Sequence, residues 1–245
     1  MKMPTIGVAG VTIPGAVDCI EKINQHNSTY FFNNEHPNLI LYQPNFGIMQ
    51  SAFIADDWNR VLLELSKSVE ALSRMGADFV VIPANTVHRV ILDLQKQSSI
   101  PVLNMLEIVR DECKARKIKK IGILGTVWTM SGHLYKETLE ASGIEEVIPS
   151  DEEQKIFQNA IFSELIPTGT VKAATLAAML DVVAALKERG CDGIALACTE
   201  LPLVLNESNC GILVIDTTDV LAIAAIQKAA KMVAKAQNNL LGSDT

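Results

Sequence analysis

The sequence predicts an α/β protein built as two pseudo-symmetric halves, each a parallel sheet flanked by helices. Three observations carry this. Short apolar runs alternate with amphipathic helical stretches along the chain. Of the 245 residues 49% are apolar and only 5% aromatic, and the Ala, Val, Ile and Leu content suits sheets covered by helices. The third is an internal repeat at nearly fixed offset. Ile6–Gly10 resembles Ile121–Gly125 at an offset of 115 residues, Gly76–Thr86 resembles Gly190–Glu200 at 114, and Pro101–Asn104 has a weaker counterpart in Leu213–Asp216 at 112. Apolar strands match one another easily, so the common spacing argues for duplicated halves more than any single pair does.

Taken in order, buried strands are expected at 5–11, 38–42, 78–83 and 101–103, then at 120–125, 146–148, 192–197 and 212–215. The clearest helix begins near Asp56 and Asp57 and sets Trp58, Val61, Leu62, Leu65, Val69 and Leu72 on one face. It stops at Gly76, where a glycine just past the last turn is expected. A second helix runs from about Val171 to Gly190 on the same plan. No Pro/Gly/Ser-rich linker separates the halves, so the repeat sets the boundaries. Residues 1–103 plus about 213–245 form the first half and 104–212 the second. A final helix from about Asp219 to Asn238 would pack back on the first half, with Asn239 to Thr245 frayed.

Composition narrows the function. A formal net charge of -7 and the lack of a basic stripe disfavour nucleic acid, which is held by lysine and arginine displacing counterions. The start, MKMPTIGVAG, lacks the apolar core of a signal peptide, and no uncharged apolar run approaches membrane-spanning length. A soluble, cytoplasmic protein without a membrane partner is expected. Five cysteines, Cys19, Cys113, Cys191, Cys198 and Cys210, are an odd number without metal-ligand spacing, so neither a disulfide framework nor a zinc site is expected. Four read as small buried apolar residues.

Parallel sheets with right-handed crossovers bind ligands beyond the carboxyl ends of their strands. Four groups fall there: Val11-Thr12, Ala84-Asn85-Thr86, Thr126 to Thr129, and Cys198-Thr199-Glu200. Cys198 occupies a strand-to-helix turn, where backbone amides would stabilise an anion and draw the thiol below its ordinary pKa of about 8.5. A base at neutral pH would result; an inert buried thiol is the competing reading. Thr199 suits a substrate carboxylate, while Glu200 either reaches the same pocket or satisfies the amides of a helix start. Asn85 and Thr86 offer amide and hydroxyl partners, and His88 reads as a polar surface residue or one behind the site rather than a general base. Thr126 and Thr129 would serve equally as helix caps. The Gly7–Thr12 loop lacks the third glycine of a dinucleotide fingerprint, so a small-anion loop is the better reading.

On these residues the chain resembles the aspartate/glutamate racemase superfamily along nearly its whole length. An N-terminal I-G-x-x-G strand and loop with Pro14 comes first. Ala84-Asn85-Thr86-Val87-His88 is similar to the family's C-N-T-x-H, Gly125-Thr126 to Thr129-Met130 to its G-T-x-x-T-M, and Ala197-Cys198-Thr199-Glu200 to its G-C-T-E. The resemblance implies a homodimeric amino-acid racemase working without pyridoxal phosphate, metal or nucleotide on a small acidic amino acid. Two cysteines, one from each half, would face opposite sides of the substrate Cα in a cleft between the halves. Thr12, Asn85, Thr86, Thr126, Thr129, Thr199 and Glu200 would hold the substrate.

Cys198 would be one of the two catalytic cysteines. Ala84 stands where the other belongs, and a methyl group transfers no proton; either the natural protein differs there or a cysteine has been substituted. Val11-Thr12-Ile13 also replaces the G-M-G commonly seen. Two alternatives stay open. One is a one-cysteine lyase resembling arylmalonate decarboxylase, which protonates a carbanion; the other is a catalytically silent protein that binds an acidic amino acid.

Overall fold

The structure is a computed structural model that describes residues 3–241. The chain divides into two compact units, one holding the residues up to Asn104 and from Leu221 onward, the other Met105–Val220. The first contains β1 (Thr5–Ala9), α1 (Ile13–Tyr30), β2 (Asn38–Tyr42), α2 (Phe46–Ile54), α3 (Trp58–Arg74), β3 (Phe79–Val81), a 3-10 turn over Thr86–Val90 and α4 (Ile91–Gln97). The second contains α5 (Met105–Ala115), β4 (Lys120–Gly125), α6 (Val127–Met130), α7 (Lys136–Glu140) and β5 (Glu145–Val147). It continues with α8 (Asp151–Asn159), which runs through a π-helical stretch, Ala160–Leu165, into α9 (Ile166–Thr168). Then come α10 (Ala173–Glu188), β6 (Gly193–Ala197), a 3-10 turn over Leu201–Leu203, α11 (Glu207–Cys210) and β7 (Leu213–Asp216). The last helix, α12 (Thr217–Leu241), starts in the second unit and continues in the first.

All strand pairs are parallel, in the orders β2-β1-β3 and β5-β4-β6-β7. Valine- and isoleucine-rich runs form the central strands, and β1, β3 and β6 are buried at every position. Helix α3 shows why its segment is helical: Asp57 caps it by accepting from the Arg60 amide, and Val61, Leu65, Val69 and Leu72 bury one stripe. Each of those aliphatics contributes ~2 kcal/mol by leaving water.

The repeat has an atomic basis. Gly76 and Gly190 follow α3 and α10 with φ of +94° and +87°, a conformation that glycine adopts without strain. The next amides turn back alike: Ala77 N–H donates to Leu72 O at 3.0 Å and Cys191 N–H to Leu186 O at 3.1 Å. Asp78 then accepts the Thr5 amide at 2.7 Å, and Asp192 accepts the Lys119 and Lys120 amides at 2.8 and 3.0 Å. In both units one aspartate thus pins the start of the central strand to the strand beside it.

The structure departs from the sequence reading in four places. The strand at 38–42, expected to be buried, is the edge strand β2 and is exposed at four of its five positions. The strand at 213–216, assigned to the first half, is β7 and pairs with β6 from Gly193↔Leu213 to Leu196↔Asp216, so the return to the first unit comes later, at Leu221. The run at 101–103 forms one isolated bridge, Val80↔Val102, in which Val80 donates to Pro101 O and accepts from the Leu103 amide; Pro101 itself has no N–H with which to extend the ladder. Helix α12 continues to Leu241; residues 242–245 of the expected frayed tail lie outside the described residues. Among the described residues no helix is long and apolar enough to cross a membrane.

Candidate active site

In the second unit the register Gly125↔Ala197 makes Thr126 and Cys198 the residues that leave adjacent parallel strands, so their backbones start about 4.8 Å apart. Gly125 permits this approach, since a Cβ there would meet Ala197 O at 2.9 Å. Half-buried Cys198 donates from Sγ to Glu200 Oε2 at 3.0 Å, and Thr199 Oγ1 donates to the same oxygen at 2.9 Å. Glu200 makes no side-chain cap to the short 3-10 turn that follows; its carboxylate serves the two neighbouring side chains instead.

That arrangement reverses the expected acidity of Cys198. Burial pushes the thiol well above its ordinary pKa, and the Glu200 carboxylate pushes it further by charge and by hydrogen bonding, while the Glu200 and Thr199 amides oppose them. A turn of three residues offers too little helix dipole to outweigh a carboxylate in contact with the sulfur. Cys198 therefore rests as a thiol, and its nearest proton acceptor is Glu200.

Thr126 occupies the cap position of α6 but makes no side-chain cap. Its hydroxyl lies 3.5 Å from that of buried Thr129, and the Val127 amide is taken by Gln158 Oε1 at 3.0 Å. Gln158 was not singled out in the sequence: it is 31 residues away, and no local pattern marks it. Beside Thr126, the Trp128 ring stands edge-on to Phe162, centroids 6.1 Å apart, with Phe162 37% exposed.

In the first unit Ala84 and Thr86 are partly exposed and follow β3, whereas Asn85 is buried. His88 is buried as well, which corrects the surface reading. Its Nδ1 lies 2.9 Å from Ala84 O; a carbonyl only accepts, so Nδ1 carries the hydrogen. Burial lowers its pKa to about 4, against weaker opposition from the Ala84, Leu103 and Asn85 backbone, so the ring is neutral at pH 7 and ties down the carbonyl of residue 84. Thr12 caps α1 by accepting the Gly15 amide at 3.3 Å. Gln43, also unmarked by the sequence reading, reaches Val11 O from Nε2 at 3.2 Å and fills the place where a Cβ on Gly10 would stand; that glycine was the available signal.

Cys19, Cys113, Cys191 and Cys210 are buried free thiols. Among the described residues no group of three or more His, Cys, Asp or Glu is placed to hold a metal ion. An open hollow of about 520 Å³ at the α2–α3 corner, lined by Asn45, Ser51, Asp57 and Arg60 among others, includes none of the candidate residues.

Comparison with known proteins bears on the family and the fold. Residues 8–225 match the family model described as Asp/Glu/hydantoin racemase. The broad specificity amino-acid racemase RacX of Bacillus subtilis is 26% identical over 195 residues, covering 78% of this chain and 82% of its own. A crystal structure from Pyrococcus horikoshii, described as an aspartate racemase homologue, superposes with a TM-score of 0.81 at 30% identity over 93% of this chain and all of that one. Arylmalonate decarboxylase, solved as a variant, shares the fold at a TM-score of 0.56 and 13% identity over 92% of this chain and 93% of that one.

Proposed function

The chain belongs to the Asp/Glu/hydantoin racemase family, and from that premise we propose that it transfers a proton at the Cα of a free amino acid, with Cys198 as the acid/base group. The observation that carries the reading is the Cys198 thiol donating to Glu200 beside the Thr126 strand end. Glu200 takes the sulfur's proton, the thiolate so formed takes the Cα hydrogen, and the thiol, after exchange with solvent, returns a proton to the same face. Thr126, Thr129, Thr199 and backbone amides stabilise the carboxylate as the carbanion gains enediolate character; Thr12, Asn85 and Thr86 are the first unit's candidates for the same task. No pyridoxal phosphate, metal or nucleotide enters these steps. The same reading takes the protein as a cytoplasmic homodimer.

Ala84 restricts the outcome. A methyl group at position 84 carries no proton, so of the cysteine pair that the family pattern implies Cys198 is the one proton carrier present. One enantiomer exchanges its α-hydrogen and inversion is slow. The resting thiol also favours a second reading, a lyase of the arylmalonate decarboxylase kind, since a protonated cysteine is what quenches a carbanion.

The test is α-deuterium incorporation in D₂O, followed by proton NMR across D- and L-amino acids, the acidic pair implied by the family included. Exchange of one enantiomer, abolished in Cys198→Ala, is the expected result. Exchange that persists unchanged in that variant removes Cys198 from the mechanism. If only an α,α-dicarboxylate reacts, the lyase reading replaces the racemase one.

A further inference from the structure

We infer that Trp128 and Phe162 receive the α-substituent of the substrate, and that the amino acid bound here carries an aromatic or large aliphatic side chain in place of an acidic one. The inference rests on the reading that Cys198 acts at Cα, because it takes the strand ends of β4 and β6 as the place where the substrate lies. Trp128 falls between Thr126 and Thr129, immediately after β4, and β4 lies directly beside the strand that presents Cys198. A substrate held at these strand ends would lie next to the segment after β4 that carries Trp128.

The pair is built rather than incidental. Phe162 rides on the π-helical stretch Ala160–Leu165, whose wider turn shifts the phase of the helix; such turns recur at functional sites. Within that stretch Ala160, Ile161 and Leu165 bury themselves in the core while Phe162 stays 37% exposed against Trp128. Gln158, one turn earlier, fixes the two segments to each other by accepting the Val127 amide. Two large rings in a T-shaped arrangement at 80°, Phe162 exposed and Trp128 partly so, in the segments that follow β4 and α8, are suited to a third apolar group.

Charge argues the same way. Among Thr126–Met130 and Cys198–Glu200 the one charged side chain is Glu200, so an acidic substituent would bring a second carboxylate toward the first with no cation in those segments to offset it. Of the lysines flanking the π-helical stretch, Lys155 pairs with Glu152 at 2.6 Å, and Lys172 lies 4.0 Å from Glu164 of the stretch itself.

The test uses the full chain carrying Trp58→Phe, which leaves Trp128 as the one tryptophan, and reads its emission on titration with phenylalanine, leucine, aspartate and glutamate of both configurations. Phenylalanine and leucine are expected to bind at least tenfold more tightly than aspartate. Phe162→Ala should weaken phenylalanine about fivefold or more and leave aspartate unchanged. Phe162→Lys should reverse the preference toward aspartate, a gain that misfolding does not produce. Tighter binding of acidic amino acids by the parent, indifference to Phe162→Ala, or no binding of any of the four overturns the inference. An aromatic preference without α-deuterium exchange leaves it standing and refutes the proton-transfer reading; exchange of aspartate alone does the opposite.

Discussion

The proton on Cys198 is held there by two effects of the same sign, burial and the Glu200 carboxylate. Glu200→Gln removes the charge and keeps the shape, so the thiol pKa should fall. Well below its pKa the thiolate fraction rises about tenfold per unit. Alkylation of Cys198 by iodoacetamide at pH 8, read on the Cys198 peptide by mass spectrometry, should accelerate in Glu200→Gln; an unchanged or slower rate would show that Glu200 does not govern the thiol. His88 titrates the other way. Its folded pKa, about 4, lies below the 6.5 of the free ring, so the neutral form is the one the fold accommodates. The stability it lends is complete above pH 6.5 and declines as the unfolded chain takes up a proton, levelling off below pH 4. Urea unfolding should therefore lose about 2–3 kcal/mol from this group between pH 7 and 4.5. His88→Phe should flatten that part of the profile, and an equally steep profile in the variant would contradict the assignment.

Among the elements, the seam between β4 and β6 matters most to the site, because Thr126 and Cys198 leave it side by side. Gly125→Ala puts a Cβ at 2.9 Å from a backbone oxygen, which no rotamer change relieves. It should destabilise more than Gly76→Ala or Gly190→Ala, which meet no neighbouring atom and cost roughly 1 kcal/mol through positive φ. Urea midpoints of the three variants settle the order, and a Gly125→Ala protein as stable as the other two would show that the seam has slack. The two glycine turns belong to equivalent places in the duplicated halves, so their costs should agree with each other.

For the whole molecule, duplication gives each half a residue at the matching place of the repeat, Ala84 three residues past β3 in one and Cys198 directly after β6 in the other. If both serve one substrate, Ala84→Cys restores the second proton carrier. Interconversion of the enantiomers of the cognate amino acid should then rise at least about a hundredfold, the lower end of what a positioned acid/base group provides. Polarimetry or chiral chromatography measures it, and a variant that exchanges deuterium yet never inverts would show that position 84 does not face Cα. Activity should also survive exhaustive chelation; loss on chelation with recovery on adding metal would refute cofactor independence.

What the sequence determined by itself is what neighbours along the chain decide. The period of the apolar runs located the strands, Asp57 and Gly76 bounded α3, and the offset of 114 residues set Ala84 and Cys198 at corresponding strand ends. These are local choices of backbone and patterning, and they survive in any compact arrangement. The tertiary structure decided what depends on groups brought from elsewhere. Gln158 accepted the first amide of α6, Phe162 came to stand against Trp128, and β7 joined the second sheet because its backbone pairs with β6. Cys198 shows the limit most sharply: Glu200 is only two residues away, yet whether its carboxylate caps a turn or takes the thiol's hydrogen sets the sign of the pKa shift. A pKa responds to distances of a few ångströms and to burial, and neither quantity is written in the order of the residues.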